Sequence, residues 1–379
     1  MLSPILAITL ASQVKQIAGS GFYAILTNGG SVYGVGNDIY GMQVRPNWEK
    51  AHVVSPAKMS LTGSITQVAA GDGVCYALMS DGTVLSWGRN DYGQLGDGKP
   101  SQGGFTTRLA PELVVGLESI VQIDACQNHA IALRKDGRVF TWGHNHNGVS
   151  GDSSLGKSAV KMIDGLSNVK KVDTGFSHAL ALTTDGIVYA WGENNHGQIG
   201  TGKFSEPIPS PTKVNGLPKV IDIAAGDIAS GTSAVVTADG RVFVWGSNTS
   251  GLLGNGNKPG AHDEPGGILV RPAQVKGISV AQSISLGAGH QVVLHSNGTL
   301  TTWGFDGYGQ LGLGKSGDYS LKPQKPQISG VASIYASSYR TFVIKRDGSL
   351  WWTGMSSGAR RGPMKDNLKK FTKLPVGTD

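Results

Sequence analysis

The residues whose types and spacing most invite a chemical reading lie between positions 144 and 158. Gly151-Asp152-Ser153-Ser154-Leu155-Gly156-Lys157-Ser158 matches the phosphate-cradling pattern, in which a glycine-rich turn presents backbone N–H groups and a lysine meets the outer phosphates. That chemistry needs a buried strand before the turn and a helix N-terminus after it. Here the string leads into the strand-like run Ala159 to Ile163, so nucleotide binding is not expected. His144 and His146 flank Asn145 at a spacing two metal ligands can use, but Asp152 lies beyond a glycine turn and no third ligand is evident nearby. Cys75 and Cys126 are too few for a disulfide framework or a thiolate cluster. A catalytic reading needs a nucleophile with its base, or paired carboxylates, in a setting of their own. Ser, His and Asp are plentiful but scattered over recurring positions, so no catalytic residue, metal or cofactor is assigned and the chain is read as a non-enzyme.

The positions recur because the chain is a repeat. A turn dipeptide, a β run and a closing aromatic-glycine pair, as in Asp136-Gly137-Arg138-Val139-Phe140-Thr141-Trp142-Gly143, occur seven times. The closing glycines are Gly34, Gly88, Gly143, Gly192, Gly246, Gly304 and Gly354, 49 to 58 residues apart, a period that suits one four-stranded blade. The turns run from Asn28-Gly29 and Asp81-Gly82 to Asn297-Gly298 and Asp347-Gly348, pairs that accept the positive φ of tight hairpins. Upstream of each turn, segments such as Ala18 to Leu26 and Ala70 to Leu78 read as single strands of nine residues; the fifth, Ala225 to Val236, has three more. Their small leading residues fit the crowded centre of a propeller. Trp87, Trp142, Trp191, Trp245, Trp303 and Trp352 share one repeat position and are expected to pack between blade faces. A glycine turn follows, clearest in Asn90 to Gly96, Asn194 to Gly200 and Gly307 to Gly312. Then comes a strand led by Pro4, Pro56, Pro111, Pro211, Pro272 or Pro326, with Lys161-Met162-Ile163 in its place once; proline at a strand start or outer edge loses no ladder hydrogen bond.

Together, a small-Gly-x-x-His strand with His129, His178 and His290, an Asp-Gly turn, a Trp-Gly ending and an Asn-x-x-Gly-Gln-Leu-Gly turn resemble the repeats of the regulator of chromosome condensation family over nearly the whole chain. The resemblance implies an all-β fold, a seven-bladed β-propeller of four-stranded antiparallel blades closed by terminal strands. Residues 1–358 would form the propeller and 359–379 a basic C-terminal tail. Phe22, Val74 and Arg340 hold the histidine place elsewhere, and the glycine turn shrinks to Gly41-Met42-Gln43 in the first repeat and is missing from the seventh. Lys370 to Pro375 looks like an eighth outer strand, which either closes the ring or serves as an arm that augments a partner's sheet.

Glycine, at 57 residues, is about twice its usual share, the balance of a turn-rich β protein. Of the formal charge of +7, residues 360–379 supply +4, with six Lys or Arg against two Asp. A diffuse basic surface is therefore not implied; nucleic acid is disfavoured and a protein partner, acidic in character, is favoured. No stretch is long and apolar enough to span a bilayer, and the opening MLSPILAITLAS lacks the basic region of a secretory signal, so a soluble chain without membrane insertion is expected, cytoplasmic or part of a larger assembly.

Function belongs in the non-repeating loops, Val44 to Ser55, Lys99 to Ala110, Lys203 to Pro211, Asn257 to Arg271 and Lys315 to Pro326, and in the tail. The candidate contacts are Arg45, Trp48, Lys99, Phe105, Arg108, Lys203, Lys258, Arg271, Lys315 and Tyr319 in the loops, with Arg360, Arg361, Lys369, Lys370 and Phe371 in the tail. A non-enzymatic protein-binding platform is the leading reading. Its alternatives are a structural or receptor-adsorption component of a larger assembly, such as a virion or surface appendage, and a guanine-nucleotide exchange factor for a Ran-like GTPase, the latter by family resemblance.

Overall fold

In a computed structural model of the chain, each repeat forms one antiparallel sheet of four consecutive strands, and seven such sheets make a propeller ring with no helix among the described residues. The structure describes residues 13–38, 40–44, 52–98, 106–145, 147–153, 156–227, 231–259, 267–356 and 367–376. Blade one is Val14–Ser20, Phe22–Thr27, Val32–Asn37 and His52–Lys58; blade seven is Val331–Ser337, Arg340–Lys345, Leu350–Gly354 and Leu368–Lys373. The first strand of each blade lines the axis and the fourth lies at the rim. Leu368–Lys373 is thus the seventh outer strand, not an eighth, while Pro4 lies outside the described residues.

Several repeat boundaries differ from the sequence expectation. Ala70 to Leu78 is not one strand: Ile65–Ala70 ends at Gly71, and Val74–Met79 begins after a turn. The Gly71 N–H donates to the Val74 carbonyl and Gly73 takes a φ of 84°, so a tight turn divides the apparent single run into two strands. In the first repeat the closing glycine is Gly36, not Gly34. Gly36 faces Phe22 as Gly88 faces Val74, with φ of 119°, and a Cβ there would strike the Gly21 carbonyl. Its turn glycine is accordingly Gly30 rather than Gly29. Trp352 is also out of place: Thr353 holds the tryptophan position, opposite Thr341, whereas Trp352 pairs with Phe342 and faces blade one. The outer prolines sit inside their strands, at the bulge where the ladder slips, and the sixth is Pro323 rather than Pro326.

The five remaining tryptophans, Trp87, Trp142, Trp191, Trp245 and Trp303, have no exposed surface. Each indole Nε1 donates to a glycine-turn carbonyl of the preceding blade, at Met42, Gln94, Val149, Gln198 and Leu252, over 2.8–2.9 Å. One side chain therefore supplies both apolar fill and a directional tie. The histidines work the other way: Nε2 of His129, His178 and His290 meets the hydroxyls of Thr174, Ser233 and Thr341 in the next blade. Burial holds these imidazoles neutral, pushing them down to about 3, 4 and 3 respectively.

A third set of ties circles the axis. Gln16, Gln67 and Gln122 accept from the N–H groups of Val68, Ile123 and Val172. Asp173, Asp222 and Ser285 continue the circle to Ala225, Ile284 and Ala336. Tyr335 completes it at Gly19, where blade seven meets blade one. Among the described residues each terminal blade keeps its own four strands, and Val14, Ile17, Tyr23 and Ile25 of the first pack against Phe342, Ile344 and Leu350 of the last. The longer fifth repeat places Asp227 across the axis, where it accepts from Ser338 N and Ser337 Oγ of blade seven and from Cys126 of blade three.

Candidate interaction face

In a four-stranded meander the first and third connections share one end. All loops between third and fourth strands therefore open on one face, together with the short turns between first and second strands. The Asp-Gly turns and the links between blades lie on the other face. The first face is rigid. In six blades a buried Asn or Asp at its start accepts from the N–H five residues on: Asp38 from Gln43, Asn90 from Leu95, Asn145 from Ser150, Asn194 from Ile199, Asn248 from Leu253 and Asp306 from Leu311. The motif glutamines Gln94, Gln198 and Gln310 accept from the N–H of Tyr92, His196 and Tyr308, which fixes those side chains on the inner part of the face.

Two aromatic patches result. On blades six and seven the Phe305 ring lies 5.8 Å from Tyr308, 5.5 Å from Tyr319 and 5.9 Å from Tyr339, while Tyr308 and Tyr339 are 5.0 Å apart. On blades one to three the Arg89 guanidinium covers Tyr40 at 5.3 Å and Tyr92 at 5.5 Å, and Tyr92 lies 4.5 Å from His144. Arg89 also pairs with Asp91 and, at 4.0 Å, with Asp72. Beneath the first patch Asp306 is buried, and burial pushes its carboxyl up to about 6 against the Leu311 N–H and the Lys315 charge.

The expected contacts divide into four groups. Tyr319, 45 % exposed, belongs to the blade six patch. Lys203, Lys258, Arg271, Lys315, Lys369 and Lys370 are exposed and form no ion pair among the described residues. Arg108 and Phe371 serve the framework. Arg108 donates to Ser86 O and Oγ at 2.9 Å and pairs with Asp97 and Glu112, and Phe371 packs over Gly312 in the junction of blades six and seven. Arg45, Trp48, Lys99, Phe105, Arg360 and Arg361 lie outside the described residues. The sequence expectation did not include Phe305, Tyr308, Tyr339, Tyr92 and Arg89; for Tyr92 and Tyr308 the signal was an aromatic at the variable place of the Asn/Asp-x-x-Gly-Gln turn, and the other three lie outside that turn.

The phosphate-like string enters Gly156–Met162, the outer strand of blade three, with Asp152 paired to Lys161 and bonded to Asn145. The axial carboxylates Asp124 and Asp173 accept backbone N–H groups of Thr174 and Ala225. No group of three or more potential metal ligands occurs among the described residues.

The sequence profile of the RCC1-like domain matches residues 3–331. The chain is similar to protein RCC2 of Homo sapiens, 26% identical over 337 residues, which cover 79% of this chain and 52% of that protein. It is likewise similar to the RCC2 homolog of Danio rerio, 25% identical with 79% and 54% covered, so the chain spans about half the length of these relatives. Among solved structures, human WBSCR16 superposes with a TM-score of 0.75 at 22% identity, covering 88% of each chain. Prp20p of Saccharomyces cerevisiae superposes at 0.71 and 21% identity, covering 86% of this chain and 80% of that one. With seven four-stranded blades, a profile match over most of its length and these relatives, the chain belongs to the RCC1-like domain family.

Proposed function

We propose that this chain is a protein-binding platform whose partner docks on the loop face, with the blade six and seven patch as its anchor. The observation that carries this reading is the cluster of Phe305, Tyr308, Tyr319 and Tyr339, held by a buried hydrogen-bonded loop and open to solvent at Tyr319. Rigid, partly exposed aromatic side chains are the commonest interface anchors, because they bury much area and lose little freedom. At the preceding junction Ser250 of blade five and Gly289 of blade six stand where Tyr308 of blade six and Tyr339 of blade seven do, so the propeller frame does not require aromatics there. Yeast Prp20p is described by its binding properties to Gsp1p and histones, which supports protein recognition by such a propeller.

The test is quantitative affinity capture with the intact chain and with Tyr308→Ser/Tyr319→Ser, which leaves the buried frame in place. Partners should be lost selectively with an unchanged unfolding midpoint; identical partner sets would overturn the reading. Exchange on a Ran-like GTPase is the enzymatic alternative, and fluorescent GDP release from such a GTPase separates the two. Acceleration by this chain would replace the platform reading with catalysis.

A further inference from the structure

The rim of blades four to seven carries a charge pattern that the repeat does not require. The outer strands hold one position immediately before the bulge, and in blades one to four it is Ser55, Ala110, Ala159 and Ser210. In blades five, six and seven it becomes Arg271, Lys322 and Lys370. Each of these cations leans over a glycine of the preceding blade: Arg271 over Gly202, Lys322 over Gly256 and Lys370 over Gly314. The backbone fixes the contact, since those glycines donate to the carbonyls of Val270, Leu321 and Lys369 at 2.8, 2.9 and 2.7 Å. Just past each glycine stands another exposed lysine, Lys203, Lys258 or Lys315. Three consecutive junctions thus present a two-cation module, and none of the six forms an ion pair among the described residues. Blade three differs, for there Lys161 is neutralised by Asp152.

We infer that this arc is a docking surface for an acidic polypeptide segment running along the rim of blades four to seven. The inference rests on the platform reading and names the chemistry of the partner. A mixed-charge protein is favoured over nucleic acid because exposed Glu206 and Asp318 share the loops that carry Lys203 and Lys315. A phosphate chain, with charge at every step, meets those carboxylates at close quarters, whereas a peptide with carboxylates grouped at intervals matches the modules and passes between them.

The test is fluorescence anisotropy of a labelled poly-L-glutamate peptide and of an oligothymidylate of matched charge, titrated with the intact chain at low and near-physiological salt. Two triple variants are compared. Arg271→Ser/Lys322→Ser/Lys370→Ser restores the small residues of the other blades, and Lys135→Ser/Lys219→Ser/Lys276→Ser removes the same charge from exposed positions on the opposite face. Poly-L-glutamate should bind the native chain and weaken with salt. The arc variant should lose about tenfold in affinity or more, and the opposite-face variant far less, with unfolding midpoints unchanged. Equal losses in the two variants, no binding of poly-L-glutamate, or tighter binding of the oligothymidylate would each overturn the proposal. Partners that still require Tyr308 and Tyr319 but ignore the arc variant would sink the acidic-segment assignment and leave the platform standing.

Discussion

The Tyr335 hydroxyl meets both polar groups of one residue, accepting from the Gly19 N–H at 2.9 Å and donating to its carbonyl at 3.1 Å, across the junction where the last blade meets the first. The other ties described around the axis are made by Gln, Asp or Ser side chains, whereas here an aromatic ring spans the gap. Tyr335→Phe should lower stability by about 1–2 kcal/mol, because it leaves the Gly19 groups unpaired at a part-buried seam. Urea unfolding measures this, with Tyr189→Phe, whose hydroxyl makes no such tie, as the control.

The tryptophans allow a sharper comparison. Trp245 is buried with its Nε1 2.8 Å from the Gln198 carbonyl, while Trp352 is half-buried, stacks on Phe342 at 6.1 Å and makes no indole hydrogen bond among the described residues. Trp245→Phe should therefore cost about 2–4 kcal/mol, from lost volume and one of the two hydrogen bonds that the Gln198 carbonyl accepts, the other coming from Ser233 Oγ, and Trp352→Phe less than about 1 kcal/mol. Equal losses in urea unfolding would mean that the two occupy equivalent sites after all.

That contrast shows how far the fold was legible. Seven blades, the Asp-Gly turns and five of the tryptophans follow from spacing, since a repeated buried position keeps its residue type. Register at the ends did not. Val35 and Thr353 stand where the tryptophan should be, so the eye slides to Tyr33-Gly34 and Trp352, and only the pairing of Gly36 with Phe22 and of Gly354 with Arg340 restores the frame. The site was harder. Lys203, Lys315 and Tyr319 stood out as loop residues, but Phe305 and Tyr308 of blade six meet Tyr339 of blade seven, two chain segments that the ring brings together.

The buried histidines set one part of the acid response. Their folded values of about 3, 4 and 3 lie below the unfolded value near 6.5, so the unfolded chain binds more protons between these limits. Their contribution is complete above about pH 6.5 and is lost as pH falls toward those folded values, at up to about 1.4 kcal/mol per pH unit for each. Asp124, raised to about 6 chiefly by burial, has the opposite effect and gains stability as pH falls from 6 to 4. His178→Gln keeps a donor for Ser233 and removes one titrating group. Its stability between pH 6.5 and 4.5, from urea unfolding, should fall less steeply than that of the native chain; parallel curves would contradict a neutral buried imidazole.

Asp306 is a second buried titrating group, at the start of a loop on the candidate interaction face. It sits under the Phe305 patch and accepts from Leu311 N at 3.0 Å, the task that Asn90, Asn194 and Asn248 perform in their own blades without charge. Its folded value of about 6 exceeds the unfolded value near 3.9, so the folded chain holds the extra proton between them, and stability present at pH 4 is lost as pH rises through 6. Asp306→Asn should keep the loop geometry and abolish that loss. The variant should be more stable than the native chain at pH 7.5 by about 1 kcal/mol, a figure discounted for solvent near the carboxyl, and should match it near pH 4. Thermal unfolding at the two pH values provides the measurement. A variant less stable at pH 7.5 would show instead that the buried charge is held in place by Lys315, because removing a well-paired charge forfeits that attraction while removing an ill-solvated one does not.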